Sequence, residues 1–440
     1  MYIERKLDRE LEKWKSETNR KPLLVRGARQ VGKTKTIREL GRKFDNFIEI
    51  NFEESPRLKE LFLDNLSPTN ICENISAIYK TDIFPGTTLL FFDEIQECQE
   101  ALASLRFFYE KMPDLHVIAA GSLLEFALLE MPTFGVGRIR SIFMYPLSFS
   151  EFLLGAGEKR LLEKVRLADP RNPINELLHT RLLELVQKFL CLGGMPEVVA
   201  TYFETGQFNK CQQILSDLIL SLQTDFTKYR SRIPFARLND VFQSVVYQAG
   251  HKFVFSKVTT QANHNQVKEA LQLLIKVGLV IPVVHSSSNG LPLGAEANPQ
   301  KQKMLVYDTG IFQCLMGLDL TDFLLSRKFD AINKGNLAEQ FVGIELIKSE
   351  SCYQNPSLYY WHREAKSSNA EVDYIVPLSQ KIVPVEVKSG TKGTMQSLLL
   401  FLKEKKLKRG IRISNENFSS YDNIEVYPIY AVENLRFKTL

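Results

Sequence analysis

Two stretches of this chain carry residue types at spacings that chemistry uses. The first is LLVRGARQVGKTKTI, where Gly27 and Gly32 bracket four residues and Lys33 and Thr34 follow. Gly-x-x-x-x-Gly-Lys-Thr between an apolar strand and a helix is the pattern of a phosphate-wrapping loop. Glycine lets the backbone curl around an anion where a Cβ would collide. The backbone of Gly27, Ala28, Arg29, Gln30, Val31, Gly32, Lys33, Thr34 and Lys35, with the positive helix end, then faces the phosphates of ATP. Lys33 is expected to reach the β- and γ-phosphates, and the Thr34 hydroxyl to hold Mg²⁺. Downstream, TTLLFFDEIQ ends an apolar run in Asp93 and Glu94. Asp93 suits the carboxylate that holds Mg²⁺ through water, and Glu94 the general base that polarises an attacking water. Ser122, at the end of LHVIAAGS, reads two ways, as a hydroxyl sensing the γ-phosphate or as a helix N-cap. Arg138, in GVGRIRS, is a candidate for neutralising transition-state charge, in cis or on a neighbouring copy.

The second stretch is EVDYIVPLSQKIVPVEVKSG, residues 371–390. It reads as a hairpin turning at 377–381, with Asp373 on the first strand and Glu386 and Lys388 two apart on the second. Alternation puts Glu371, Asp373 and Ile375 on one face of the first strand and sets Val383, Val385 and Val387 opposite Glu386 and Lys388. Two acids and a lysine can hold a metal and cut a phosphodiester, and an ordinary solvated hairpin would show the same alternation. Pro384 removes a ladder donor and suggests an edge or a bulge. An upstream helix, GNLAEQFVGIELIKS, brings Glu339.

These residues need a scaffold. In 440 residues, 44% are hydrophobic and 24% charged, ordinary for a chain with real cores and room for several domains. The net charge of +5 permits nucleic-acid binding without demanding it. Six scattered cysteines form no CxxC or Cys/His pattern for zinc. The charged opening MYIERKLDRELEKWKSE lacks the apolar core of a signal peptide, and the greasiest run, LQLLIKVGLVIPVV, is too short to span a bilayer. The expectation is a cytoplasmic protein with no membrane partner.

Short apolar runs alternate with helical patterns up to about residue 147, which argues for a parallel sheet covered by helices. The pattern then turns helical to about 229, with the glycine pair of LGGMPEVV breaking two helices. In FSKVTTQANHNQVKEALQLLIKVGLVIPVV, Val267, Leu271, Leu274 and Ile275 share a helical face, and a turn and strand follow. His264, Asn265, Gln266, Lys268 and Gln272 lie on the other face. The lysines of FLKEKKLKRGIRIS read as a phosphate-binding patch or as the last turn of a helix capped by Gly410.

The segments RKPLLVRGARQVGKT, LLFFDEIQ, AAGSLL, GRIRSIFMYPLSFSEFL and GGMPEVV resemble the bacterial and archaeal AAA-type additional-strand ATPases that carry a C-terminal domain of unknown function. The resemblance spans nearly the whole chain. It implies ATP binding at Gly32, Lys33, Thr34, Asp93 and Glu94, and it names no substrate. AAGSLL departs from it, because a threonine is expected before Gly-Ser. The 255–284 segment looks like the winged helix of that family, whose exposed helix face meets DNA or packs inside the protein. The set Glu339, Asp373, Glu386 and Lys388 resembles the PD-(D/E)XK nuclease core, in which the acids bind Mg²⁺ and the lysine positions or activates water.

The expectation is therefore an α/β chain. A P-loop NTPase parallel sheet at 1–150 precedes a helical lid or linker at 151–234 and a winged helix at 235–325. A restriction-endonuclease-like α/β domain follows at 326–440. The expected function is an Mg²⁺-dependent ATPase acting on or regulated by nucleic acid, with metal-dependent cleavage as a further candidate activity. The alternative is a signalling-type ATP switch whose later domains are inactive interaction modules. DNA, RNA and a second copy of the chain are the candidate macromolecular partners.

Overall fold

A computed structural model describes residues 1–63, 65–122, 124–129, 137–229, 233–318, 334–363, 369–390 and 395–437. The chain separates into two compact units. The smaller comprises residues 2–145 and 351–355, and the larger residues 1, 146–350 and 356–440. The expected boundary at 325–326 lies outside the described residues.

Five strands build the smaller unit: β1 Leu23–Arg26, β2 Asn46–Asn51, β3 Thr88–Asp93, β4 His116–Ala120 and β5 Arg140–Phe143. All are parallel, in the order β2-β3-β4-β1-β5. Every residue of β3 and β4 is buried, as strands covered on both faces require. Helices Lys33–Gly41, Pro68–Tyr79 and Gln99–Lys111 supply the cover. One face closes around Ile48, Ile50, Phe92, Leu105 and Phe108. Because β4 lies between β1 and β3, the loop after β1 and the acids ending β3 open on the same edge, the carboxyl ends of the strands. Ligands of open α/β sheets bind there.

The larger unit starts with helices, among them Glu176–Leu192 and Pro196–Thr205, separated by Gly193 and Gly194. The reason for two glycines is steric. A Cβ on Gly193, which has φ +72°, would meet Asp308 Oδ1 at 2.1 Å, and one on Gly194 would meet the Leu147 carbonyl oxygen at 2.2 Å. Asp308 accepts from the N–H groups of Gly194 (2.7 Å), Gly310 (2.9 Å) and Ile311 (3.1 Å). It thereby caps helix Thr309–Leu315 and ties it to the glycine turn.

Helices Phe235–Tyr247 and His264–Lys276 pack together and lead into an antiparallel pair, β6 Val280–Ser286 and β7 Ala297–Val306. Asn263 and Gln266 form a reciprocal capping box at the second helix. Val267, Leu271 and Leu274 are buried, Ile275 half-buried, and His264, Asn265, Lys268 and Gln272 exposed, whereas Gln266 is half-buried by its capping role.

The pair β6–β7 continues into the C-terminal strands. These are β8 Leu358–His362, β9 Glu371–Leu378, β10 Lys381–Val387, β11 Gly410–Ser414, β12 Ser419–Tyr421 and β13 Ile424–Pro428. Together they make an eight-stranded sheet ordered β12-β13-β11-β10-β9-β8-β6-β7.

The hairpin β9–β10 turns on Ser379 and Gln380, both with positive φ, at 46° and 60°, as a tight two-residue turn requires. It is not a solvated face. Glu386 is only 5% exposed, and helices Lys334–Lys348 and Gln396–Glu404 both pack on β10. Nor does Pro384 mark an edge. The strand β10 is interior, paired to β9 and to β11. Pairing to β11 begins only at Val385, so the missing proline N–H costs no bond on that side. The basic segment also differs from its sequence reading. Helix Gln396–Glu404 ends before most of its lysines, Lys406 takes the left-handed turn at φ 52°, and Gly410 opens β11 instead of capping the helix.

Candidate functional site

The loop after β1 is built as its glycines predict. Gly27 has φ +152°, and a Cβ there would lie 2.2 Å from the Met144 carbonyl oxygen. Gly32 takes φ 98° and is the N-cap of helix Lys33–Gly41. Arg5, buried, donates to the Val31 carbonyl at 3.0 Å and the Tyr145 carbonyl at 2.6 Å, fastening the loop from beneath. Lys33 curls back, its ammonium donating to the carbonyls of Gly27 and Ala28, each at 2.9 Å. Burial pushes it down to about 8 against the pull of Glu94 and Asp93.

Thr34 and Asp93 are 59 positions apart in sequence, and the Thr34 hydroxyl donates to Asp93 Oδ2 at 2.8 Å. Burial pushes the Asp93 carboxyl up to about 6, opposed by that hydrogen bond. A hydroxyl and a carboxylate at one point are hard oxygen donors of the kind Mg²⁺ takes, so these residues fit the expected ion. Glu94 follows in the left-handed region at φ 48°, a costly conformation for a residue with a Cβ. Gln96 Nε2 donates to Glu94 Oε2 at 2.7 Å. Sequence reasoning missed Gln96, although its place two residues after the acid was the available signal.

Arg29 leans from the loop to the buried Ser122, with Nε 3.3 Å from Oγ, and its guanidinium lies 3.8 Å from Glu53. Ser122 thus touches the phosphate loop through a side chain. Arg138 is exposed and pairs with Glu110 on helix Gln99–Lys111. Ala28, Gln30, Val31 and Lys35 lie in or just after the loop, Gln30 at φ 62°.

Residues 19–153 match the family model of an AAA domain. The smaller unit carries an AAA-type P-loop ATPase domain. Residues 183–322 and 334–432 match two further families, each described as a domain of unknown function. No curated protein matches the chain. Among solved structures, the chain is similar to the Walker-type ATPase of Pyrococcus abyssi at 17% identity and TM-score 0.46, over 72% of this chain and 96% of that one. It is also similar to the Orc1 protein of Aeropyrum pernix in complex with DNA, at 12% identity and TM-score 0.28, over 72% and 92%. Among the described residues no helix is long and apolar enough to cross a membrane.

The second group of candidate residues lies in the larger unit. Gly343 leaves room for the Tyr374 hydroxyl, which donates to the Glu339 carbonyl at 2.7 Å and pins helix Lys334–Lys348 to β9. Asp373 Oδ2 accepts from the Val387 N–H at 2.8 Å, beside Glu386, and Lys388 donates to Glu386 Oε1 at 2.7 Å. Two further residues join them. Lys303 on β7 is 1% exposed; it donates to Glu339 at 2.8 Å, pairs with Glu371 and lies 3.8 Å from Asp373 Oδ1. Its ammonium passes 5.3 Å from the Tyr360 ring on β8.

Burial alone would push Lys303 down, but Glu339, Asp373 and Glu371 hold it above the usual range. Burial raises Glu339, Asp373 and Glu386 above the usual carboxylate range. Among the described residues no three His, Cys, Asp or Glu side chains stand so as to hold a metal together.

Proposed function

We propose that the protein binds ATP with Mg²⁺ through residues 27–35 and hydrolyses it. The observation that carries this reading is the Thr34–Asp93 contact beside Lys33. The loop backbone binds the phosphates, and Lys33 exchanges its two loop carbonyls for phosphate oxygens. Thr34 and Asp93 hold Mg²⁺, which neutralises charge developing on the phosphates. Glu94 accepts the proton of the attacking water once Gln96 releases its carboxylate. Ser122 and Arg138 remain candidates for sensing the γ-phosphate and for neutralising charge. Wild type should retain a fluorescent ATP analogue and Lys33→Ala should not; equal retention would refute the assignment.

For the larger unit, the nuclease-like grouping of Glu339, Asp373, Glu386 and Lys388 supports one of two readings, cleavage or a module that binds without cutting. The contacts of Lys303 with Glu339 and Asp373 favour the second, because they neutralise acids that cleavage would commit to a metal. The exposed His264, Asn265, Lys268 and Gln272 support nucleic acid as the regulator of turnover. ATPase rates measured with duplex DNA, single-stranded DNA and RNA test this, and a rate indifferent to all three would contradict it.

A further inference from the structure

The acidic centre of the larger unit already contains a positive charge, and the charge belongs to the chain. Glu339 comes from helix Lys334–Lys348 and Glu371 and Asp373 from β9, all meeting the ammonium of one lysine on β7. Carboxylate oxygens are what a hard divalent cation takes, but these are arranged around an ammonium. An ammonium is a compact charge with three donors, and here it faces three carboxylates.

Beside them, Glu386 is 5% exposed. It feels the charges of Asp373 and Lys303, and its Oε2 has no hydrogen-bond partner. A buried acceptor is ordinarily satisfied, so this oxygen adds an uncompensated acceptor beside the other acids, while Lys388 partners the second oxygen of the same carboxylate. Four carboxylates, Glu339, Glu371, Asp373 and Glu386, face two ammoniums, Lys303 and Lys388.

We propose that Lys303 is the resident cation of this centre. While its ammonium stands among Glu339, Glu371 and Asp373 the centre takes no divalent metal, and removing that charge leaves the same carboxylates free to close on a divalent cation, which they do not do as they stand. The inference deepens the non-cutting reading of the larger unit by giving it a cause, and it rests on that reading only for its consequence in cleavage.

The test is a titration of the nucleotide-free full-length chain with MnCl₂, followed by calorimetry and by thermal unfolding. Wild type should show no Mn²⁺ binding that depends on Asp373. Lys303→Met should bind Mn²⁺ at least about tenfold more tightly than wild type and melt higher with the ion than without it. Adding Asp373→Asn to that variant should abolish both effects. Should Lys303→Met fail to fold, Lys303→Gln, which keeps one donor group, carries the same comparison. Wild-type Mn²⁺ binding that Asp373→Asn abolishes would overturn the proposal, and so would a Lys303 variant that binds no better than wild type. Plasmid cleavage is scored apart. Cutting by wild type that Asp373→Asn abolishes refutes the non-cutting reading, whereas the titration reads the cation whether or not anything is cut.

Discussion

Replacing Asp308 with alanine removes one acceptor group from three buried backbone donors, those of Gly194, Gly310 and Ile311. Two of these donors belong to the first turn of helix Thr309–Leu315, and loss of such a cap costs about 1 kcal/mol. The third, Gly194, loses a 2.7 Å charge-assisted bond, worth about 1.5–3 kcal/mol. Burial raises the Asp308 carboxyl, so part of this is offset by removing a desolvated charge. The expected net loss is about 2–4 kcal/mol. An asparagine side chain in place of the aspartate would keep an oxygen for the cap but turn an amide N–H₂ toward the Gly194 N–H. Asp308→Asn should therefore fall between wild type and Asp308→Ala.

The chain has two tryptophans, Trp14 in the smaller unit and Trp361 in the larger. In a Trp14→Phe background, urea unfolding followed by Trp361 fluorescence reports the larger unit alone. A midpoint shift at constant slope measures the loss. An alanine variant within about 0.5 kcal/mol of its parent, the range of ordinary surface changes, would mean that the Asp308 carboxylate does not hold these three donors.

Other outcomes follow from the same geometry. Gly27→Ala should weaken binding of an ATP analogue by at least about tenfold, because its Cβ meets a backbone oxygen at 2.2 Å; unchanged affinity would mean the loop yields. Burial pushes His116 down from 6.5 to about 4, so below pH 6.5 the unfolded chain takes a proton that the folded chain refuses. Its contribution is therefore complete above about 6.5 and falls as pH drops toward 4, amounting to about 1 kcal/mol between pH 7.5 and 5.5. The signal is Trp14 fluorescence, whose ring lies 5.4 Å from that of His116, and His116→Asn should flatten the trend. Lys268→Glu should weaken nucleic-acid binding and reduce its salt slope by about one unit or more; an unchanged slope would return the helix to a packing role.

The smaller unit is legible because its signals are local. A loop with fixed glycines and continuous apolar runs announces a parallel sheet, and acids at a strand end mark the edge on which that loop opens. What stays hidden is long-range. QKQKMLVYDTG shows alternation, but alternation cannot say that Lys303 is buried, because a solvated lysine has the same spacing. Alternation places Glu371 on the face of Asp373, yet nothing adjacent in sequence says that a strand nearly seventy positions upstream supplies its partner. Pro384 misleads for a related reason: a proline's cost depends on where the neighbouring strand begins, and β11 comes from a separate segment. The glycine pair at 193–194 reads as a helix break, while the reason for two glycines, the approach of Asp308 and the Leu147 carbonyl, lies in distant segments.

Whether Lys33, Thr34, Asp93 and Glu94 hydrolyse ATP together is read from single-turnover hydrolysis of Mg²⁺-ATP by wild type and Glu94→Gln. Glu94→Gln should bind ATP as wild type does and turn it over about a hundredfold more slowly or worse, the effect of losing a general base. Hydrolysis by Glu94→Gln at the wild-type rate would contradict that role.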